Sequence, residues 1–196
     1  MLKKIPFLFF FLFLSSGAFA QSSKKEAIAA IKQLKEGALF IRLKTSQNLI
    51  NAYTGQGKTE AAEKVRAEQA AENLEIMRAF ARNFDFCPVY FFYSDNSEKI
   101  RQGIYKGSLF YALDNPADFS GQGTYLIGEF GESENGKIEG FIFKDKDSKP
   151  LRSPFPFMVR LNKGGVMERS KAEIAALASK ELHSFYNEVT TKSKNK

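Results

Sequence analysis

Four groupings of residues carry side chains of the types that do chemistry. The first is Ala52-Tyr-Thr-Gly-Gln-Gly-Lys58-Thr59, a relaxed phosphate-binding loop in which Ala stands for the first glycine. Such a loop works because a strand runs into it and a helix leaves it, so that backbone N–H groups converge on phosphate. Here a helical pattern over 46–53 precedes the loop, and the nearest strand pattern, 38–43, lies further upstream. The segment therefore reads as a helix–turn–helix link. The second is Cys87, the only cysteine, followed by Tyr90 where a thioredoxin-type pair needs its second thiol. A buried, apolar role is expected of it, with a reactive thiol as the alternative. The third is His183, the only histidine, which falls opposite the apolar stripe of the last helix and is expected to be solvent-exposed. One histidine excludes a multi-histidine metal site and disfavours a Ser-His-Asp triad, and no G-x-S-x-G elbow is present.

The fourth grouping is carboxylates. Glu129, Glu132, Glu134 and Glu139 gather around the Asn135-Gly136 turn. An acid–base pair or a calcium site would use such groups, but the spacing fits neither. Asp145 and Asp147 begin like a calcium loop, yet Pro150 stands where that loop needs glycine. Solvated hairpin charge is the expectation for all of them. No catalytic, cofactor-binding or metal-binding residue is assigned, and no cofactor is expected.

The elements that would position these groups follow from periodicity. Helices are expected over 24–35, 46–53 and 59–82, the last with a stripe of Ala67, Ala70, Leu74, Met77, Ala81 and Phe84 stepping by three and four. Pairs at Glu60–Lys64 and Glu75–Arg78 would lie on its solvated side. Strands are expected over 38–43 and 88–93, the second an unbroken aromatic run that reads as central and buried on both faces. Asp95-Asn-Ser-Glu98 resembles a capping box opening a short helix to Gln102. Strands over 124–130, 138–144 and 155–161 then form a meander, with Pro154 and Pro156 placing the last at an edge. Ser170-x-x-Glu173 caps a final helix whose stripe is Ile174, Leu177, Ala178, Leu182, Phe185 and Val189. The fold class is α+β: a single domain with a mixed β-sheet and a C-terminal antiparallel meander, flanked by a long central helix and an amphipathic C-terminal helix.

The chain of 196 residues carries 29 basic and 22 acidic groups, with 43% hydrophobic and 26% charged residues, which excludes intrinsic disorder for its bulk. Residues 1–20 have the form of a cleavable signal peptide. Lys3 and Lys4 precede the apolar run 5–14, and Ala18-Phe19-Ala20 is a small-x-small site. Cleavage between Ala20 and Gln21 would leave a soluble exported protein, periplasmic or secreted, with no transmembrane segment in the mature chain. The expected organisation is the signal peptide over 1–20, one α+β domain over 21–190 and a short basic tail over 191–196. The lone Cys87 permits no intramolecular disulfide. Removing 1–20 leaves 27 basic against 22 acidic groups without a basic–aromatic patch, so no nucleic-acid partner is expected.

In Gly37-Ala-Leu-Phe-Ile-Arg-Leu43 and Asn83-Phe-Asp-Phe-Cys-Pro-Val-Tyr-Phe-Phe-Tyr-Ser-Asp95, the chain resembles exported Bacteroidetes-type proteins of unknown function. The resemblance implies export and one compact domain, and gives no residue a role. With no convergent catalytic set, the expectation is a non-enzymatic binding or interaction module for an unknown protein or small-molecule ligand. The alternative is a periplasmic enzyme using carboxylates or Cys87 in a cleft. A thioredoxin-like scaffold without its redox pair is a third reading, from element order alone. Exposed aromatics among Tyr90, Tyr93, Tyr105, Tyr111 and Tyr125 would favour the interaction module. A buried, perturbed carboxylate in a pocket would favour the enzyme.

Overall fold

A computed structural model describes residues 13–112, 115–117, 119, 124–134, 136–164 and 167–194, with side chains described from residue 23 to 192 within these. Most of the apolar run 5–14 lies outside them, as do the side chains around the expected cleavage site. Helix α1 (Phe13–Glu36) buries Ala27, Ala30, Ile31 and Leu34, spaced at three and four residues. Gly37 ends it for a steric reason: a Cβ there would lie 1.9 Å from the Thr124 carbonyl oxygen. The chain enters β1 (Ala38–Leu43) at this point, with Ala38 N–H donating to that same oxygen at 3.2 Å.

Strand β1 is the middle of the parallel half of the sheet. It pairs in parallel with β2 (Val89–Tyr93) on one side and with β3 (Tyr125–Glu132) on the other. Strands β4 (Glu139–Lys144) and β5 (Met158–Arg160) continue antiparallel, giving the order β2-β1-β3-β4-β5. The α+β class, the mixed sheet and the C-terminal meander are therefore as the periodicity predicts. Strand β5 is an edge, as its flanking prolines require, though only three residues long.

One position differs. The aromatic run of β2 is not central but forms the opposite edge. Its outer side is closed by Phe110, which exchanges N–H···O=C bonds with Phe91 at 2.9 and 3.0 Å. The bridge pairs the outward N–H and C=O of Phe91, and every β2 side chain is buried or half-buried, so an apolar run suits this edge.

Between β1 and β2 run α2 (Gln47–Gly55) and α3 (Thr59–Asn83), joined by a turn in which Gly57 takes φ +72°. Helix α3 buries Ala62, Asn73, Ile76, Met77, Ala79 and Phe80, while Ala67, Ala70 and Ala81 are exposed. The face inward is therefore rotated from the alanine-marked stripe, sharing only Met77, the half-buried Leu74 and Phe84 with it. Asn73 explains the rotation: its Nδ2 donates to the Lys44 carbonyl at 2.8 Å, so a polar side chain is satisfied inside the stripe. On the solvated side Lys64 pairs with Glu68 and Arg66 with Glu63, in place of the expected partners.

After β2 a 3-10 turn (Ser94–Asn96) leads to α4 (Ser97–Arg101), which forms without a side-chain cap. Asp95 instead accepts the Thr45 hydroxyl at 2.8 Å. The capping box of α5 (Lys171–Lys194) does form, with Glu173 N–H donating to Ser170 Oγ at 3.2 Å and Ser170 N–H to Glu173 Oε2 at 2.9 Å. Ile174, Ala178 and Leu182 are buried along the predicted stripe, packed with α1 and α3. Among the described residues no helix is long and apolar enough to cross a membrane.

Alternation divides the sheet into two faces. One carries Leu39, Ile41, Phe91, Leu126, Phe141 and Phe143 beneath the three long helices. Burying a ring such as Phe141 contributes about 1.5–3 kcal/mol. Gly128 makes room for it, since a Cβ there would meet the Phe141 ring at 2.2 Å. The other face carries Phe40, Phe92, Tyr125 and Ile127 under α4 and the segment that follows it. Further across come Arg42, Glu129, Lys144, Ile142, Met158 and Arg160, by register.

Candidate functional site

The carboxylates around the β3–β4 turn are separated by the strand alternation. Glu129 points to the second sheet face, while Glu132 pairs with Glu139 at the strand ends, both exposed. Glu129 is the most enclosed of the four. Arg42 Nη1 lies 2.9 Å from its Oε2 and Lys144 Nζ bonds its Oε1, with side-chain exposures of 33%, 15% and 19% for Arg42, Glu129 and Lys144. Burial pushes the carboxyl up, and the Lys144 and Arg42 contacts outweigh it, holding the group below its ordinary value. Arg42 is fixed in turn by donating Nε–H to Ser97 Oγ at 3.0 Å. The result is a charge lock with an ionised centre, the reverse of a general acid.

His183 lies on the outer side of α5 as its position predicts, its side chain 41% exposed, yet it is drawn into contacts. The connection from α3 to β2 folds over the flank of α5, so that Asp85 and Phe86 meet it. His183 Nε2 is 3.1 Å from Asp85 Oδ1, and its ring meets Phe86 edge-on at 5.1 Å. Ser179 Oγ donates to the same Asp85 oxygen. Those two bonds hold the Asp85 carboxyl below its ordinary value, Ser179 contributing most. Ser, His and Asp thus come together, but in the wrong order for hydrolysis. The hydroxyl donates its hydrogen bond to the carboxylate and makes none to the imidazole that would have to take its proton. The cluster ties α5 to the entrance of β2.

Cys87 is half-buried against the main core. Burial pushes its thiol up to about 12, with a backbone hydrogen bond to Leu39 and the Lys35 charge acting weakly the other way. The nucleophilic thiolate is therefore scarce near neutrality. The Gly-Gln-Gly-Lys segment is the α2–α3 turn, and Lys58 N–H donates to the Tyr53 carbonyl at 2.9 Å. Asp145 accepts the N–H groups of Asp147 and Lys149, both at 2.9 Å, which makes it a turn residue. No cluster of three or more metal-ligating side chains occurs among the described residues. Of the five tyrosines in question, only Tyr111 is exposed. Tyr90, Tyr93 and Tyr105 are half-buried and Tyr125 is buried, packed face to face on Phe40 at 4.3 Å.

A groove of about 630 Å³ opens on the second face beyond the charge lock. Ile142 of β4 and Met158 of β5 face it, with Ile138 from the hairpin and Leu151 and Phe157 from the β4–β5 connection. Met158 lies over Gly140, where a Cβ would come within 2.9 Å of its Cε. Arg152 and Arg160 stand among the lining residues. Arg152 is held to Glu134 only at 3.8 Å, with both side chains mostly exposed. The Arg160 guanidinium makes no ion pair or hydrogen bond among the described residues. A second hollow of about 670 Å³ shares Glu134, Pro150, Leu151 and Arg152 with it and runs toward Glu26 of α1.

Sequence reasoning singled out none of Arg42, Lys144, Arg152 or Arg160. The one available signal was alternation, since Met158 and Arg160 two apart must share a face. No family model matches the chain, and neither a curated protein nor a solved structure is similar to it at a meaningful level.

Proposed function

We propose that the chain is an exported, soluble, non-enzymatic binding module, periplasmic or secreted after cleavage between Ala20 and Gln21. One observation carries the binding part: among the described residues the apolar groove is lined by no His, Cys or Lys, and the one carboxylate lining it, Glu134, faces Arg152. Concave, mostly apolar sites with a few polar groups are built for recognition. The groups able to do chemistry lie outside this groove: Glu181 of α5, its carboxyl pushed up by burial, lines a separate hollow, and the others are engaged. Glu129 is ionised in its lock, Asp85 accepts Ser179 directly, and Cys87 is desolvated. Export draws its support from the Lys3-Lys4, apolar and Ala-x-Ala order and from the resemblance to exported Bacteroidetes-type proteins.

Two measurements test this reading. Intact-mass analysis of the protein recovered from the cell envelope should give a chain beginning at Gln21, and retention of residues 1–20 would sink the export claim. Native protein treated with a maleimide should stay unlabelled at Cys87 until unfolded. Rapid native labelling would revive the enzyme that uses Cys87.

A further inference from the structure

We propose that the groove between the β3–β4 hairpin and the β4–β5 connection binds an aliphatic carboxylate, its chain on Ile138, Ile142 and Met158 and its head on Arg160. This rests on the binding reading above and names its ligand class.

The argument starts from charge. Arg160 is held at the groove by strand register, because Gly140 opposite it and Ile142 opposite Met158 fix both side chains to the same face. Its carbonyl is engaged by Arg169 at 2.9 Å, which anchors the backbone, while the guanidinium has no acidic partner among the described residues. A planar, five-donor fork left unpaired beside an apolar floor matches a two-oxygen carboxylate. Arg152 supplies a second cation. Its contact with Glu134 joins two mostly exposed groups at 3.8 Å, so exchanging that partner for a ligand costs little. The volume of about 630 Å³ lies within the range of small-molecule sites. Among the described residues only strands and loops line the groove, and because Phe155 pins the 150–157 connection to the helix-packed core, adjustment to chain length falls to the β3–β4 hairpin and the exposed Phe157 side chain.

The test is fluorescence titration of the full mature chain with dansylundecanoic acid, followed by displacement with dodecanoate, methyl dodecanoate and dodecyl phosphate. Saturable binding is expected, displaced by dodecanoate. The methyl ester should be at least about tenfold weaker, because it cannot accept a charge-assisted bond. Arg160→Gln should weaken the probe by about tenfold or more with an unchanged circular dichroism spectrum, and Lys64→Gln on α3 should not weaken it. Ile138→Asp should abolish binding by placing a carboxylate among the lining residues. No saturable binding, equal displacement by acid and ester, or unaltered affinity in Arg160→Gln would each overturn the proposal. Tighter displacement by dodecyl phosphate than by dodecanoate would overturn the carboxylate head. Mass analysis of the recovered probe separates the two readings. A chemically altered probe defeats the non-enzymatic reading, whereas an unaltered probe that fails to bind defeats only the ligand assigned to this groove.

Discussion

The two faces of the sheet are made from alternating residues of the same five strands, yet they are closed by different means. The helix face is covered by α1, α3 and α5 and filled with rings, Phe80 meeting Phe141 at 4.6 Å and Phe141 meeting Phe143 at 5.2 Å. On the second face, rings around Phe40 fill only the β2–β1–β3 half. The Arg42–Glu129–Lys144 lock then bounds that cluster, and the β4–β5 half carries the groove. Area buried under long helices supplies stability, and the strip left without one is where side chains are free for recognition.

The largest expected effect separates the faces by one substitution each. Phe141→Ala removes a fully buried ring and should cost about 3–5 kcal/mol in urea unfolding. Phe157→Ala in the groove removes a ring already 37% exposed and should cost well under half as much. Equal losses would break the distinction between a packed face and an open one.

Glu129→Gln comes next. It leaves Arg42 and Lys144 without their shared counter-charge on a partly enclosed surface, with an expected cost of about 1–3 kcal/mol. The pH dependence has a definite sign. Because the folded carboxyl lies below its ordinary value of 4.5, its contribution is complete above that value and is lost as pH falls through the folded one. Wild type should therefore lose stability on acidification through this window, and Glu129→Gln should lose less. A wild type whose acid limb matches the variant's would show that the lock contributes nothing.

Most elements were legible because each obeys a local rule. Strand β1 has the predicted bounds, and α5 begins at a capping box whose hydrogen bonds form. What local rules missed depends on distant partners. The aromatic run of β2 suggests a central strand because its side chains are covered on both faces, yet at its outer edge only Phe110, about twenty residues on, pairs with Phe91. The stripe of α3 was misplaced because Asn73 counts as polar until the Lys44 carbonyl is seen beside it. His183 looked solvated on its own helix, and only the chain entering β2 brings Asp85 to it. The site was least legible of all. Arg42 and Lys144 converge on Glu129 from strands 87 and 15 residues away in sequence.

The helix face should respond to its caps as well as its rings. Ser170→Ala removes the acceptor for Glu173 N–H and loosens the start of α5, at an expected cost of about 0.5–2 kcal/mol by thermal unfolding. Ser170→Asp, which can still accept that bond and places a negative charge at the helix N-terminus, should recover most of it. Failure of Ser170→Asp to recover stability would mean that α5 is held by its stripe alone.

The smallest stability effect belongs to Arg160→Gln. The guanidinium has no ion pair to lose among the described residues, and the backbone bond from Arg169 to the Arg160 carbonyl does not depend on the side chain. Glutamine keeps two of the three methylenes of the stem and removes one cation from a chain of net charge +7. Self-repulsion thus falls slightly while no contact is broken, and unfolding stability should stay within about 0.5 kcal/mol of wild type. A cost above about 1 kcal/mol would mean that Arg160 works as a structural strut, since a side chain without a partner in the ligand-free protein has no such contribution to lose. Paired with the binding loss expected of the same variant, a neutral result would place stability and recognition on different residues of one strand. Val159 of β5 packs into the helix-face core, and Arg160 beside it faces the groove.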